Sequence, residues 1–207
     1  MTPLRACAAV VLALGILVRA PLTVAAQPVA LDAYVALRRS LEAAPDGAAR
    51  RRLERQAEAT RETLLAAARE GSRLLVMMDR RGGSEAEATP SLETARLVAR
   101  DGRITLQALG GPRPQSPHWE RAGLVAPADY VAVMDRLLRD PALVADWPTP
   151  RFDPNAPGPR RAVVVRLAIG EDEQEMQAVA GPGYERLAGL AAGLLEFCRT
   201  VPLEPAR

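Results

Sequence analysis

The stretch "TARLVARDGRITLQAL", from Thr94 to Leu109, constrains the fold more than any other part of the chain. Two runs of alternating apolar and polar residues meet at Asp101-Gly102, a pair that readily adopts the left-handed backbone of a tight hairpin turn. A two-residue loop there fixes the whole register. Arg100 must face Arg103, and Ala99, Leu97 and Ala95 must face Ile104, Leu106 and Ala108 on one apolar side. The other side pairs Val98 with Thr105 and Arg96 with Gln107, so polarity and pairing agree. Two arginines opposite one another carry a small cost unless an anion or a carboxylate lies near.

Other segments extend this sheet. "LLVMMDRRGG", from Leu74 to Gly83, reads as a buried strand with a sharp glycine exit. "RAVVVRLAIGEDEQEMQAVAG", from Arg161 to Gly181, reads as a second hairpin turning at Gly170 to Glu173, with Val163, Val165, Leu167 and Ile169 on one face. Helical spacing appears in four other places. Leu31, Tyr34, Val35 and Leu41 mark one helix, and Pro45-Asp46-Gly47 breaks it from a second whose stripe is Leu53, Ala57, Thr60, Leu64 and Ala67. Pro127 opens a helix with Tyr130, Val133, Met134, Leu137 and Leu138 inward; Pro182-Gly183 introduces another with Tyr184, Leu187, Ala191, Leu194, Leu195 and Cys198 inward. The Gly- and Pro-rich segments 110–117 and 147–159 read as loops. The expected fold is α+β: a mainly antiparallel sheet of about five strands packed by two helices, preceded by an N-terminal helical hairpin. The expected division is 27–72 for the helical hairpin and 73–207 for the α+β domain.

The N-terminus carries a different signal. Arg5 is followed by an apolar run from Ala6 to Val18 and then by Val24-Ala25-Ala26, the order of a secretory signal peptide, with cleavage expected after Ala26. The run is 13 residues long, and a helix needs about 20 to cross a bilayer, so no stable membrane anchor is expected once 1–26 is removed. Removal takes Arg5 and Arg19 but no acid, leaving 25 basic and 25 acidic residues from the original 27 and 25. A neutral chain with few aromatic rings has little to attract phosphates or stack bases, so nucleic acid is not the expected partner. All the basic residues are arginine. Only Cys198 remains as a thiol, which rules out an internal disulfide in the periplasmic or secreted setting that the leader implies.

Catalytic groups are scarce. Arg80-Arg81-Gly82-Gly83-Ser84 lacks both the GK[ST] ending of a phosphate loop and the spacing of a dinucleotide fingerprint, which leaves a connection or a protein-contact loop. His118 is the sole histidine; Ser84, Ser91 and Ser116 are potential serine partners, but no GxSxG elbow is present. Cys198 lies on an apolar helical stripe, where a thiol packs as a small hydrophobe. No zinc set exists, and the acids Glu171, Asp172, Glu173 and Glu175 lack the spacing of a calcium loop, so no metal and no cofactor is expected.

The order of elements, together with "DRRGG", "RFDPN" and "AVVVRLAIGEDEQEMQAV", resembles the emfourin family, small bacterial inhibitors of thermolysin-like metalloproteases. The resemblance spans Leu74 to Val201, and the hairpin from Ala95 to Leu109 and the N-terminal helices lie outside the family pattern. It implies a non-enzymatic, exported binding module whose contact residues are Arg80, Arg81, Gly82, Gly83 and Ser84, and whose partner is another protein such as a secreted protease. The sequence also resembles small exported bacterial α+β domains with a strand, Asp-Gly, strand pattern. Two further readings stand beside it. One is an exported enzyme built on Asp79, Arg80 and Asp153; the other is an envelope structural protein that assembles through its helical hairpin.

Overall fold

The computed structural model describes residues 31–81, 91–112, 118–147, 160–179 and 183–205. The expected leader, 1–26, lies outside them. No described helix is long and apolar enough to cross a membrane. The chain runs α1 (Leu31–Ala43), α2 (Ala48–Glu70), β1 (Gly71–Arg81), β2 (Ser91–Arg100), β3 (Arg103–Pro112), β4 (Trp119–Val125), α3 (Pro127–Arg139), a 3-10 turn (Pro141–Val144), β5 (Arg160–Ile169), β6 (Asp172–Val179), α4 (Tyr184–Thr200) and β7 (Leu203–Glu204). The strands form one antiparallel sheet in the order β6-β5-β1-β2-β3-β4-β7.

The central hairpin has the register its sequence dictates: Arg100 faces Arg103, Ala99 faces Ile104, Leu97 faces Leu106 and Ala95 faces Ala108. Asp101 and Gly102 take φ of 51° and 73°, the left-handed pair that a tight two-residue turn requires. Leu74, Val76 and Met78 of β1 and Val163, Val165 and Leu167 of β5 fall on that same side, and all are buried. Their alternation with Arg73, Leu75, Met77 and Asp79 gives the sheet two unlike faces.

All four helices pack on the apolar face, and α1 and α2 share one continuous core with it through Leu31, Tyr34, Val35, Leu64 and Ala68. The inward stripes of α3 and α4 are those expected, with Leu190 added. In α2 the stripe is rotated. Arg61 and Ala68 are buried, whereas Ala67 is exposed and Leu53 and Thr60 are only half-buried. Arg61 can turn inward because Glu58 and Asp135 both pair with its guanidinium, and Arg139 bridges the same two acids. A buried charge is tolerated only with such partners. Between the helix layer and the sheet, the Tyr130 hydroxyl bonds Ser72 Oγ, which also donates to the Ala68 carbonyl at 2.5 Å.

Helix ends are closed by distant residues. At the C-terminus of α3, Tyr34 Oη donates to the Leu138 carbonyl at 3.0 Å and Arg38 donates to the same oxygen at 2.7 Å and to the Arg139 carbonyl at 3.2 Å. At the C-terminus of α4, Arg121 donates to the carbonyls of Cys198, Arg199 and Val201. Cations suit this end of the helix dipole. The end of α2 is met by turns instead: Asp101 and Gly102 amides donate to the Glu70 and Arg69 carbonyls at 3.0 and 3.2 Å, and the Gly170 amide donates to the Gly71 carbonyl at 3.0 Å.

The sheet has seven strands rather than about five, because β4 and β7 lie where a loop and a helix end were expected. Two glycines explain why β4 escapes a pattern search. A Cβ on Gly123 would come within 2.9 Å of the Glu204 carbonyl of β7, and one on Gly110 would lie 2.6 Å from the Trp119 ring. Close approach replaces side-chain alternation as the signal there.

Candidate functional site

β1 ends in Asp79, Arg80 and Arg81, and strand alternation sends consecutive side chains to opposite faces. Asp79 lies on the face away from the helices, opposite Ala162 of β5 and Leu92 of β2, and is 0% exposed. Arg80 lies on the other side, is exposed, and has its guanidinium 2.8 Å from Met78 Sδ. The carboxylate and guanidinium read together as an enzyme's working pair therefore do not share a face. Asp153 lies outside the described residues, as do Gly82, Gly83 and Ser84. Arg81 closes the strand.

The antiparallel register adds residues that sequence inspection missed. Arg80 pairs with Arg161 and Arg81 pairs with Arg160, so two Arg-Arg dipeptides more than 70 positions apart are zipped side by side at one end of the sheet. The only cue in the sequence was Arg160-Arg161 after a Pro-rich segment, which by itself marks a strand start. Like charges directly opposite one another disfavour a ladder, so this strand end is a concentration of positive charge rather than an apolar seam.

The remaining sequence candidates are separated. His118 is exposed beside β4, with its amide donating to the Gly110 carbonyl at 2.9 Å, and Trp119 beside it carries the Arg199 guanidinium 5.0 Å from its ring centroid. Cys198 is 0% exposed, and burial pushes its thiol pKa up to about 12 despite the nearby Arg121. That is the opposite of an activated thiolate. Ser91 begins β2 opposite Arg80, and Ser116 lies outside the described residues. Glu173 and Glu175, from the acidic run, are spent on Arg166: its contacts are 3.1 Å to Glu173 and a closer pair to Glu175, whose hydrogen bond holds the guanidinium pKa above its usual value. Among the described residues no group of three or more His, Cys, Asp or Glu could hold a metal ion.

Hollows among the described residues mark the surface. One of about 240 Å³ lies on the sheet face away from the helices, with Leu75 at its floor and Arg73, Arg96 and Arg166 around it. Another of about 330 Å³ sits over the Arg61 ion cluster between α1, α2 and α3. A further one, about 340 Å³, is a groove between α3 and α4. No protein-family model matches the chain, and no curated protein or solved structure matches it either.

Proposed function

We propose that this chain is an exported, non-enzymatic protein-binding module that engages an acidic surface of its partner through the arginine-rich end of β1 and β5, and that the partner is a secreted protease. The observation that carries the reading is the register Arg80–Arg161 and Arg81–Arg160, which sets four arginine positions of two strands side by side where β1 enters the 82–90 connection. Arginine suits this work because its planar fork grips carboxylates in a bidentate manner. The resemblance of the sequence to the emfourin family is what suggests a protease as partner class and a contact through Arg80 to Ser84. The signal-peptide pattern of 1–26 supports a periplasmic or secreted setting.

The test is residual activity of a panel of secreted proteases, thermolysin-like metalloenzymes included, on a small peptide substrate after incubation with the exported protein. Stoichiometric loss of activity with the protein left intact is the expected result, and Arg80→Ala with Arg81→Ala should weaken it by more than tenfold, about 1.4 kcal/mol or more. Digestion of the protein as an ordinary substrate, or full activity across the panel, would overturn the inhibitor reading.

A further inference from the structure

The groove between α3 and α4 is built from matching stripes. α3 contributes Asp129, Ala132, Val133 and Arg136, and α4 contributes Leu190, Gly193, Leu194 and Phe197, each at positions i, i+3, i+4 and i+7. This is the spacing with which helices meet helices. The two walls stand apart far enough to leave about 340 Å³ between them. Ala132 and Gly193 are its smallest lining residues, and the Arg136 guanidinium lies against Gly193, 3.4 Å from where a Cβ would stand.

The charges on the α3 stripe are arranged for self-recognition. Asp135 and Arg139 are committed to α2 through Arg61 and Glu58. Asp129 and Arg136, by contrast, make no ion pair among the described residues. They sit two turns apart, about 10.5 Å along the axis, with Ala132 and Val133 midway between them. An antiparallel copy of α3 crossing at that midpoint sets Asp129 against the second copy's Arg136 and Arg136 against its Asp129. A two-fold axis through Ala132 and Val133 thus satisfies both charges at once, which is the defining property of an isologous interface.

We infer that the α3–α4 face is a homodimer interface, in which α3 of a second copy lies in the groove with Phe197 packed at its rim. α3 and α4 have 13 and 17 residues, or about 20 and 25 Å of helix. A face of that length gives an interface at the small end of specific ones, so the dimer is expected to be weak, in the micromolar range.

The test needs no other partner: light scattering coupled to gel filtration, with the exported protein loaded over a wide concentration series. A monomer–dimer equilibrium is expected. Arg136→Glu and Asp129→Arg should each weaken it by about tenfold or more, and the double exchange Asp129→Arg with Arg136→Glu should restore it to within a few-fold of the parent. Ala132→Glu, which blocks the crossing point on an exposed site, should give monomer at every concentration, and circular dichroism of each variant separates loss of the interface from loss of the fold. A parent that stays monomeric throughout would overturn the inference. So would a dimer indifferent to Arg136→Glu and Ala132→Glu, or singles that weaken the dimer without rescue in a folded double variant.

Discussion

The two faces of the sheet are made by the same strands with the same alternation, yet they are chemically unlike. Under the helices lie Leu74, Val76, Leu97, Ile104, Leu106, Val163, Val165 and Leu167, all buried hydrocarbon. On the reverse, the paired positions hold Arg73, Arg96, Arg100, Arg103 and Arg166 among Leu75, Val98 and Thr105. No described helix covers that side, although Ala162, Val164 and Ala168 of β5 are buried on it. The difference separates two kinds of information. One face specifies register, because a one-residue slip would turn its side chains to water; the other mixes buried positions such as Ala162 and Val164 with exposed guanidinium groups.

The largest effect expected from that contrast comes from neighbouring residues on β3. Leu106→Ala should cost about 3 kcal/mol in urea unfolding, the usual result of emptying a closed core site, whereas Gln107→Ala, one step along and on the reverse face, should stay within about 0.5 kcal/mol. Similar losses at both would erase the distinction between the faces. A smaller effect is expected from Arg166→Ala, which removes the ladder pairs to Glu173 and Glu175. Exposed pairs of this kind contribute a few tenths of a kcal/mol, screened by salt, so a large, salt-independent loss would show that the reverse face also carries structure.

The smallest effect is set by pH within the helix layer. Hydrogen bonding to Arg61 holds the Glu58 carboxyl below its usual value of 4.5, with the Arg61 and Arg139 charges acting in the same direction and desolvation opposing them. A depressed carboxylate pKa means stability that is present above 4.5 and lost as pH falls through the folded value. The melting temperature of Glu58→Gln should therefore lie slightly below that of the parent at neutral pH and converge with it on acidification. A gap that persists or widens in acid would assign Glu58 no such electrostatic role.

How much of this was legible depended on whether one strand or several set the pattern. The β2–β3 register followed from Thr94 to Leu109 alone, because turn chemistry and alternation lie within one local stretch. The α3 stripe was equally local. By contrast, β4 is specified by what it touches: Gly123 leaves room for β7, and Trp119 covers Gly110. The inward turn of Arg61 likewise depended on Asp135, a residue on another helix. In the candidate site, Arg80 and Arg81 stood out as a charged strand end, but Arg160 and Arg161 joined them only through a pairing between strands far apart in sequence. The groove charges Asp129 and Arg136 were hidden for a related reason, since only the α2 contacts of Asp135 and Arg139 reveal which charges on α3 remain uncommitted.

The way α2 ends has a consequence for the order of events during folding. Its last carbonyls, and that of Gly71, receive their hydrogen bonds from Asp101, Gly102 and Gly170, which belong to the tips of two separate hairpins. The β2–β3 turn closes the last carbonyls of α2 and the β5–β6 turn closes the first of β1, so the α2–β1 junction becomes fully bonded only after both hairpins have formed and reached it. Hydrogen exchange at those three amides would then follow a single opening, that of the helix end leaving the sheet, rather than the fraying of each turn. Three backbone protons would report on the joining of helix layer and sheet.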